Sequence, residues 1–152
     1  METSSAIRAA LYRGDRAEAE RLASGTETDV FEAACLGDAE RLRVLLAENG
    51  DRAHEWSDDG FTALHFAAFL GGHEAVAVLI DAGSDVGAVA RNEMLVQPLH
   101  SAAANGDVES CRLLLAAGAD PRARQQKDFT PMDEAELTKN EELIQLLKRY
   151  GA

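Results

Sequence analysis

The fold is decided by the stretch Thr62-Ala63-Leu64-His65-Phe66-Ala67-Ala68, because nearly the same stretch returns as Gln97-Pro98-Leu99-His100-Ser101-Ala102-Ala103. A third, more divergent copy reads Thr130-Pro131-Met132-Asp133-Glu134-Ala135. His65 and His100 are 35 positions apart, and Thr62 and Thr130 are 68 positions apart. A period of about 34 residues is typical of proteins that stack similar small units.

Each unit is predicted to contain two helices followed by a β-hairpin or loop. In the second unit the first helix begins at Thr62, whose hydroxyl can cap free backbone donors. That helix ends at Gly71-Gly72, because glycine adopts the left-handed conformation of a helix stop. The second helix ends at Gly83 and carries one apolar stripe, which comprises Ala75, Val76, Leu79 and Ile80. The predicted fold class is therefore an α-dominated repeat solenoid.

The best copy of the unit covers residues 98–120 and comprises Pro98-Leu99-His100, Ala102-Ala103, Gly106, Leu113-Leu114-Leu115 and Gly118-Ala119-Asp120. This pattern resembles the ankyrin repeat, whose signature is T-P-L-H-x-A-A, two variable residues, a glycine, and a helix that ends L-L-x-x-G-A-D. The resemblance covers roughly residues 27–152. It implies an ankyrin-repeat domain with repeats at about 27–57, 58–90, 91–124 and 125–152.

Both ends of the chain depart from the signature. In the last copy Asp133 replaces the histidine and Lys139 replaces the glycine. The end repeats of a solenoid face water instead of a neighbour, so residues 125–152 are predicted to form a C-terminal capping unit. Residues 1–26 hold a compact helical pair without a Thr-Pro capping signal, and they are predicted to form an N-terminal helical cap.

Composition narrows the setting and the partner class. The 152 residues carry a net charge of −12, whereas nucleic acids and anionic membranes attract clustered Lys and Arg, so neither is an expected partner. No apolar run approaches the ~20 residues of a membrane span. Residues 1–25 also lack the apolar segment of a secretory signal. The sequence therefore predicts a cytoplasmic protein.

The cysteines and histidines do not form a recognisable catalytic pattern. Cys35 and Cys111 lie two units apart, beyond disulfide reach, and Cys35 falls at a variable position where exposure is expected. Neither His65 nor His100 has a cysteine or second histidine at metal-ligand spacing. We therefore expect no enzyme, cofactor or metal. A hidden enzyme or metal site that uses Cys35, His65 or Asp58 is the alternative.

The resemblance also assigns roles to the repeated positions. In ankyrin repeats the signature histidine forms hydrogen bonds within its own turn and to the adjoining repeat. The structural positions carried over in this way are Thr62, His65, Pro98, His100, Thr130 and Pro131.

In ankyrin proteins the variable positions face a concave surface that binds other proteins. The resemblance therefore implies a non-enzymatic interaction module that acts as an adaptor, an inhibitor or an assembly factor. A structural protein that associates with itself through an end repeat is the alternative. The predicted partner-binding residues are Leu36, Trp56, Asp58, Asp59, Phe61, Phe69, Leu70, Met94, Leu95, Asn105, Lys127, Phe129 and Leu137.

Aromatic residues among these positions are candidate anchors for a partner. Trp56 and Phe69 are predicted to contact the partner, whereas Phe61 and Phe129 could instead pack one hairpin on the next. The segment 89–96 is longer than the period requires. Its Met94 and Leu95 are predicted either to make a flexible contact or to fold onto the neighbouring loops.

Charge indicates what kind of partner would fit. Residues 58–90 contain five acidic residues and no Lys or Arg. A partner with a basic patch around an apolar anchor would suit this face, because complementary charges speed encounter. The same charges could instead serve only to keep the protein in solution. The free protein is expected to be a monomer.

Overall fold

The computed structural model describes residues 2–152, with side chains from residue 6 onward. In that part of the chain ten α-helices follow one another as five pairs. The pairs are α1 (Glu2–Tyr12) with α2 (Arg16–Ala23), α3 (Val30–Leu36) with α4 (Ala39–Glu48), α5 (Ala63–Phe66) with α6 (His73–Asp81), α7 (Pro98–Ala104) with α8 (Val108–Ala116), and α9 (Pro131–Leu137) with α10 (Glu141–Arg149).

The pairs stack in chain order. Helix α1 contacts α3, α3 contacts α5, α5 contacts α7, and α7 contacts α9, so the first helices form one layer. The second helices form the other layer, in which α4 contacts α6, α6 contacts α8, and α8 contacts α10. The predicted helical repeat solenoid is therefore confirmed. Its core lies between the two layers, where Leu64, Leu79, Leu99 and Leu114 are fully buried.

The loops before α5, α7 and α9, residues 55–61, 85–96 and 120–129, are called the second, third and fourth fingers. None of the described residues forms a β-strand in these fingers, although Trp56 and Thr62 make one antiparallel bridge. Single backbone hydrogen bonds join successive fingers: Arg91 N donates to Gly60 O at 2.8 Å, and Gln126 N donates to Met94 O at 2.9 Å. The predicted hairpins are thus tight turns held side by side.

The first helices begin with the expected caps. Thr62 and Thr130 each accept a hydrogen bond at Oγ1 from the backbone N–H three residues later. Pro98 and Pro131 occupy the first helical position, where proline lacks only a donor that would be free in any case. The repeated sequence therefore sets the start of each of these helices.

The first helix of the second unit is less regular than its sequence predicts. Helix α5 passes directly into a π-helical turn, Ala67–Gly71, before the chain reverses at Gly72 with φ of 96°. A Cβ atom on Gly71 would clash with the carbonyl oxygen of Ala34, so only glycine allows this close approach to α3. Such π turns are frequent at functional sites.

The third finger is longer than the fourth, since 12 positions separate Asp85 from Gln97 but 10 separate Asp120 from Thr130. Asn92 at its tip accepts a hydrogen bond from Met94 N at 3.0 Å and donates one to the carbonyl of Asp59 at 2.8 Å. The tip of the third finger therefore lies against the second finger, whereas the side chains of Met94 and Leu95 remain 50% and 47% exposed, so their predicted contact with a partner is left open.

Candidate functional site

A cavity of about 370 Å³ opens between the second and third fingers and the first helices of their units. Most of its walls are apolar. Its volume falls within the range of about 300–1,000 Å³ found for ligand sites. The lining residues are Tyr12, Asp59, Phe61, His65, Phe66, Phe69, Met94, Val96, His100, Ser101, Ala104 and Gln125.

Aromatic rings form one wall of the cavity. The Phe66 ring packs edge to face against Phe61, with centroids 5.6 Å apart, and against Phe31 at 5.9 Å. Phe61 also lies 5.6 Å from the His65 ring. Phe69, from the π turn, lines the same cavity but remains 41% exposed. The packed rings of Phe31, Phe61 and Phe66 thus lie beside a ring that is partly exposed to solvent.

Two buried histidines, His65 and His100, fix the geometry of the cavity. The Nδ1 atom of His65 accepts from Thr62 N at 3.1 Å, so its Nε2 carries the proton and donates to the Val96 carbonyl at 3.0 Å. In the next unit, His100 Nε2 donates in the same way to the carbonyl of Ala123 at 2.8 Å. Burial lowers the pKa of both imidazoles, which keeps them neutral.

These contacts leave no free ring nitrogen on either histidine. Each histidine joins its helix to the following finger, so each acts as a structural bridge between units. A role as metal ligand or general base would require breaking a buried hydrogen bond.

An ion pair lies at the edge of the cavity. Arg8 of α1 places Nη1 3.5 Å from Asp59 Oδ1, and its guanidinium lies 5.4 Å from the centre of the Phe66 ring. The hydroxyl of Ser57 also donates to Asp59. Burial, with a further contribution from Asp59, raises the pKa of Tyr12 to about 12, so the phenol stays protonated.

The repeat pattern and the stacked helix pairs agree with a family comparison. A family model for ankyrin repeats, built from three copies of the repeat, matches residues 6–90 and again residues 30–125. The chain belongs to the ankyrin-repeat family. Ankyrin repeats are protein-interaction modules rather than catalytic domains. Because the first match begins at residue 6, it includes most of the α1 and α2 pair.

Relatives with ankyrin regions occur in proteins of very different kinds. The chain is 39% identical over 105 residues to the probable E3 ubiquitin-protein ligase XBOS31 of Oryza sativa subsp. japonica, covering 64% of this chain and 23% of that protein. It is 34% identical over 96 residues to the palmitoyltransferase Hip14 of Drosophila melanogaster, covering 63% and 15%. It is 32% identical over 95 residues to BCL-6 corepressor-like protein 1 of Homo sapiens, covering 62% and 5%.

The chain thus spans less than a quarter of the length of these relatives. The similarity is confined to partial matches, and the ligase and transferase names describe those whole proteins.

The cavity gathers four of the thirteen predicted partner-binding residues: Asp59, Phe61, Phe69 and Met94. Phe61 packs on Phe66 of its own unit and also lines the cavity, so its contact with a partner stays a prediction. The other nine residues lie outside the cavity lining.

Four of these nine are partly covered by the protein itself. Trp56 is half-buried, with the Arg91 guanidinium 3.9 Å from its ring centre, and Leu36 and Leu70 pack against the core. Phe129 is also half-buried. The remaining five are exposed: Asp58, Leu95, Asn105, Lys127 and Leu137.

The acidic residues of the second unit do not share one face. Asp81 lies in a shallow depression between α4 and α6, and Asp85 accepts a hydrogen bond from Gly87 N at 2.9 Å within the third finger. Only Asp58 and Asp59 lie at the tip of the second finger. The five acidic residues of the segment 58–90 are therefore spread over the surface, and fewer of them lie near the cavity than the sequence suggests.

The sequence reasoning missed the contribution of the N-terminal pair. It treated residues 1–26 as a cap, whereas Tyr12 lines the cavity and Arg8 pairs with Asp59. No periodicity connects these residues with the second finger. The only available signal was the position of Arg8 and Tyr12 four residues apart, on one face of a predicted helix.

The expectation that Cys35 is exposed was wrong. The side chain is fully buried beside Ala33 and Ala34, and this burial raises the pKa of its thiol. Cys111 is buried too, which raises its pKa to about 12. A thiolate is therefore disfavoured at both positions.

Among the side chains of residues 6–152, no group of three or more His, Cys, Asp or Glu is placed to hold a metal ion. No helix in that range is long and apolar enough to cross a membrane.

Proposed function

We propose that this chain is a non-enzymatic binding protein that receives a side chain of a partner protein in the cavity between the second and third fingers. The observation that carries the proposal is the cavity of about 370 Å³ itself, with its aromatic wall and the exposed Phe69 ring. Interface anchors are usually large side chains in such partly enclosed pockets.

The partner would carry a bulky apolar residue close to a basic one. The apolar residue would enter the cavity, and the basic residue would approach the acidic tip of the second finger at Asp58. The net charge of −12 supports a basic protein partner over nucleic acid or an anionic membrane.

The biological role would be that of an adaptor, an inhibitor or an assembly factor in the cytoplasm. The occupied histidine nitrogens and the buried thiols support a function without catalysis. The free protein would be a monomer. We also propose the domain limits predicted from the sequence, which are a helical cap at residues 1–26 and four ankyrin repeats at about 27–57, 58–90, 91–124 and 125–152.

Partner capture with two matched variants tests the proposal. Phe69→Ser removes an exposed ring from the cavity, whereas Leu137→Ser removes an apolar side chain at the same position of the last unit, outside the cavity. We expect wild type and Leu137→Ser to retain the same protein from a lysate of the source cell, and Phe69→Ser to lose it. Equal capture by all three proteins would contradict the proposed site.

Self-association is the second candidate, and one observation favours it. Leu137 on α9 is 72% exposed, more than any other large apolar side chain of residues 6–152. Mass measurement over a concentration series distinguishes the two functions. A dimer that Leu137→Ser abolishes would support self-association, and a concentration-independent monomer would exclude it.

A further inference from the structure

The cavity holds a built-in cation at its edge. Arg8 reaches across from α1 to Asp59, and its side chain is only 13% exposed. The guanidinium also lies over the Phe66 ring, 5.4 Å from the centroid. One carboxylate and one aromatic face of the site are therefore already occupied by a group of the same chain.

Without this arginine the cavity would attract cations. Asp59 would present a carboxylate among the aromatic walls that Tyr12, Phe61 and Phe69 provide. Aromatic faces attract ammonium groups through their quadrupoles, and an adjacent carboxylate adds direct charge attraction. This combination is suited to a lysine side chain or an alkylammonium ion.

Arg8 reverses that preference. The paired charges of Arg8 and Asp59 sum to zero, and the guanidinium would repel a second cation that approached Asp59 at the edge of the cavity. A buried ammonium group without a free counter-charge is strongly disfavoured. An uncharged side chain avoids both effects.

We infer that Arg8 sets the charge specificity of the cavity, so that it accepts an uncharged bulky apolar side chain of the partner and excludes lysine and arginine. This inference rests on the proposed function, because the same cavity is the partner site. Asp58 is exposed and has no ion-pair partner among the described residues. The partner's basic residue is therefore received outside the cavity, at the finger tip.

A pair of small probes tests the inference without knowledge of the partner. Choline and 3,3-dimethyl-1-butanol (dimethylbutanol below) have nearly the same shape. A carbon atom in dimethylbutanol replaces the ammonium nitrogen of choline, so dimethylbutanol is uncharged. The full chain is titrated with each probe, and binding is followed by the NMR signal of the Met94 methyl group, which lines the cavity. The variants are Arg8→Met, which keeps an apolar stem, and Arg21→Met, a matched control on α2 whose side chain is 68% exposed.

We expect wild type and Arg21→Met to bind dimethylbutanol more tightly than choline. In Arg8→Met choline affinity should rise about tenfold and the preference should reverse, because one desolvated ion contact is restored. Adding Asp59→Asn to Arg8→Met should abolish the gain. In case Arg8→Met does not fold, Asp59→Asn alone should weaken choline binding further and leave dimethylbutanol binding unchanged.

Two failures are distinguishable. If dimethylbutanol binds every protein and choline affinity does not respond to Arg8, the charge role of Arg8 is wrong while the cavity remains a site. If neither probe shifts Met94 in any variant, the cavity takes no ligand of this shape, and both the inference and the proposed site are contradicted.

Discussion

The second and fourth units share the cap of the first helix, but they differ in the contacts that this helix makes with neighbouring units. Thr62 and Thr130 cap α5 and α9 in the same manner. Three residues later, His65 is buried and bonds to Val96 in the next finger, whereas Asp133 is exposed and bonds back to Thr130. Among the described residues the Asp133 side chain thus forms hydrogen bonds only within its own helix cap.

The same contrast continues along both helices. Seven residues after the cap, Phe69 lines the cavity and Leu137 faces solvent. Nine residues after the cap, Gly71 lies against the Ala34 carbonyl. The corresponding Lys139 is exposed to solvent and has a φ of 55°. The two units thus share the threonine cap, and they differ at the signature positions that contact a neighbouring unit in the second unit.

The largest effect should come from the glycine position. Gly71→Ala would drive a methyl group into the backbone of α3, and we expect the free energy of unfolding to fall by about 3 kcal/mol or more. Lys139→Ala, at the same position of the last unit, should change it by less than about 0.5 kcal/mol. Urea denaturation of both variants measures the difference. Similar losses of unfolding free energy would show that position 71 is packed no more tightly than position 139.

The histidine position should show the next largest difference. His65→Ala leaves the Thr62 N–H without its partner and removes one of the two hydrogen bonds that the buried Val96 carbonyl accepts, so we expect a loss of about 2 to 3 kcal/mol. Asp133→Ala removes only part of an exposed cap and should cost about 1 kcal/mol or less. Thermal and urea unfolding test the ranking. A greater loss from Asp133→Ala would refute the bridging role of His65.

Stability should fall as the solution becomes acidic. Burial lowers the pKa of His65 and His100 from the ordinary value of 6.5, so the unfolded chain binds more protons than the folded one. Their stabilising contribution is full above pH 6.5 and is lost as pH falls toward the lowered values. Unfolding midpoints measured between pH 8 and pH 5 should show this decline, and His65→Ala should make it shallower.

The first unit should respond to pH with the opposite sign. Asp29 caps α3, and Glu32 lies three residues after it, as His65 lies three residues after Thr62. Glu32 is buried, and this burial raises the pKa of its carboxyl above the ordinary 4.5. The burial of Glu32 therefore destabilises the folded protein increasingly as pH rises above 4.5, because the unfolded chain loses this proton first. A stability that increased steadily on acidification from pH 8 to pH 5 would contradict the histidine account.

The smallest effect should be a gain in stability. Lys139 adopts a left-handed conformation that glycine takes without strain, so Lys139→Gly should raise the free energy of unfolding by about 0.5 kcal/mol. Gly106, the matching residue of the third unit, already has φ of 68°. Differential scanning calorimetry is sensitive enough for this change. A lower melting temperature for Lys139→Gly would show that its side chain contributes more than the strain costs.

The repeated sequence was sufficient to predict the solenoid and the helix starts, because these depend on local signals such as Thr62 and on a period that is visible in the chain. It was not sufficient to predict the π turn, since Gly71 looks like the glycine of any other unit. The pairing of Arg8 with Asp59 joins residues 51 positions apart. Contacts of that kind follow from how the units stack, and no local pattern encodes them.

The candidate site was predicted in part for the same reason. Phe69 and Met94 were predicted to face a partner because the family's variable positions mark the concave side, and both line the cavity. Trp56 met the same criterion, but Arg91 covers its ring and it lies outside the cavity. A variable position indicates which side of a repeat a residue occupies, and packing by neighbouring side chains decides whether it is available.

The affinity of the captured partner for wild type, Phe69→Ser and Leu137→Ser is the measurement that tests the central claim most directly. If the cavity is the binding site, calorimetric titration should show Kd raised at least about thirtyfold by Phe69→Ser, as expected for an interface anchor, and unchanged by Leu137→Ser. Unchanged affinity of a correctly folded Phe69→Ser protein would contradict the account.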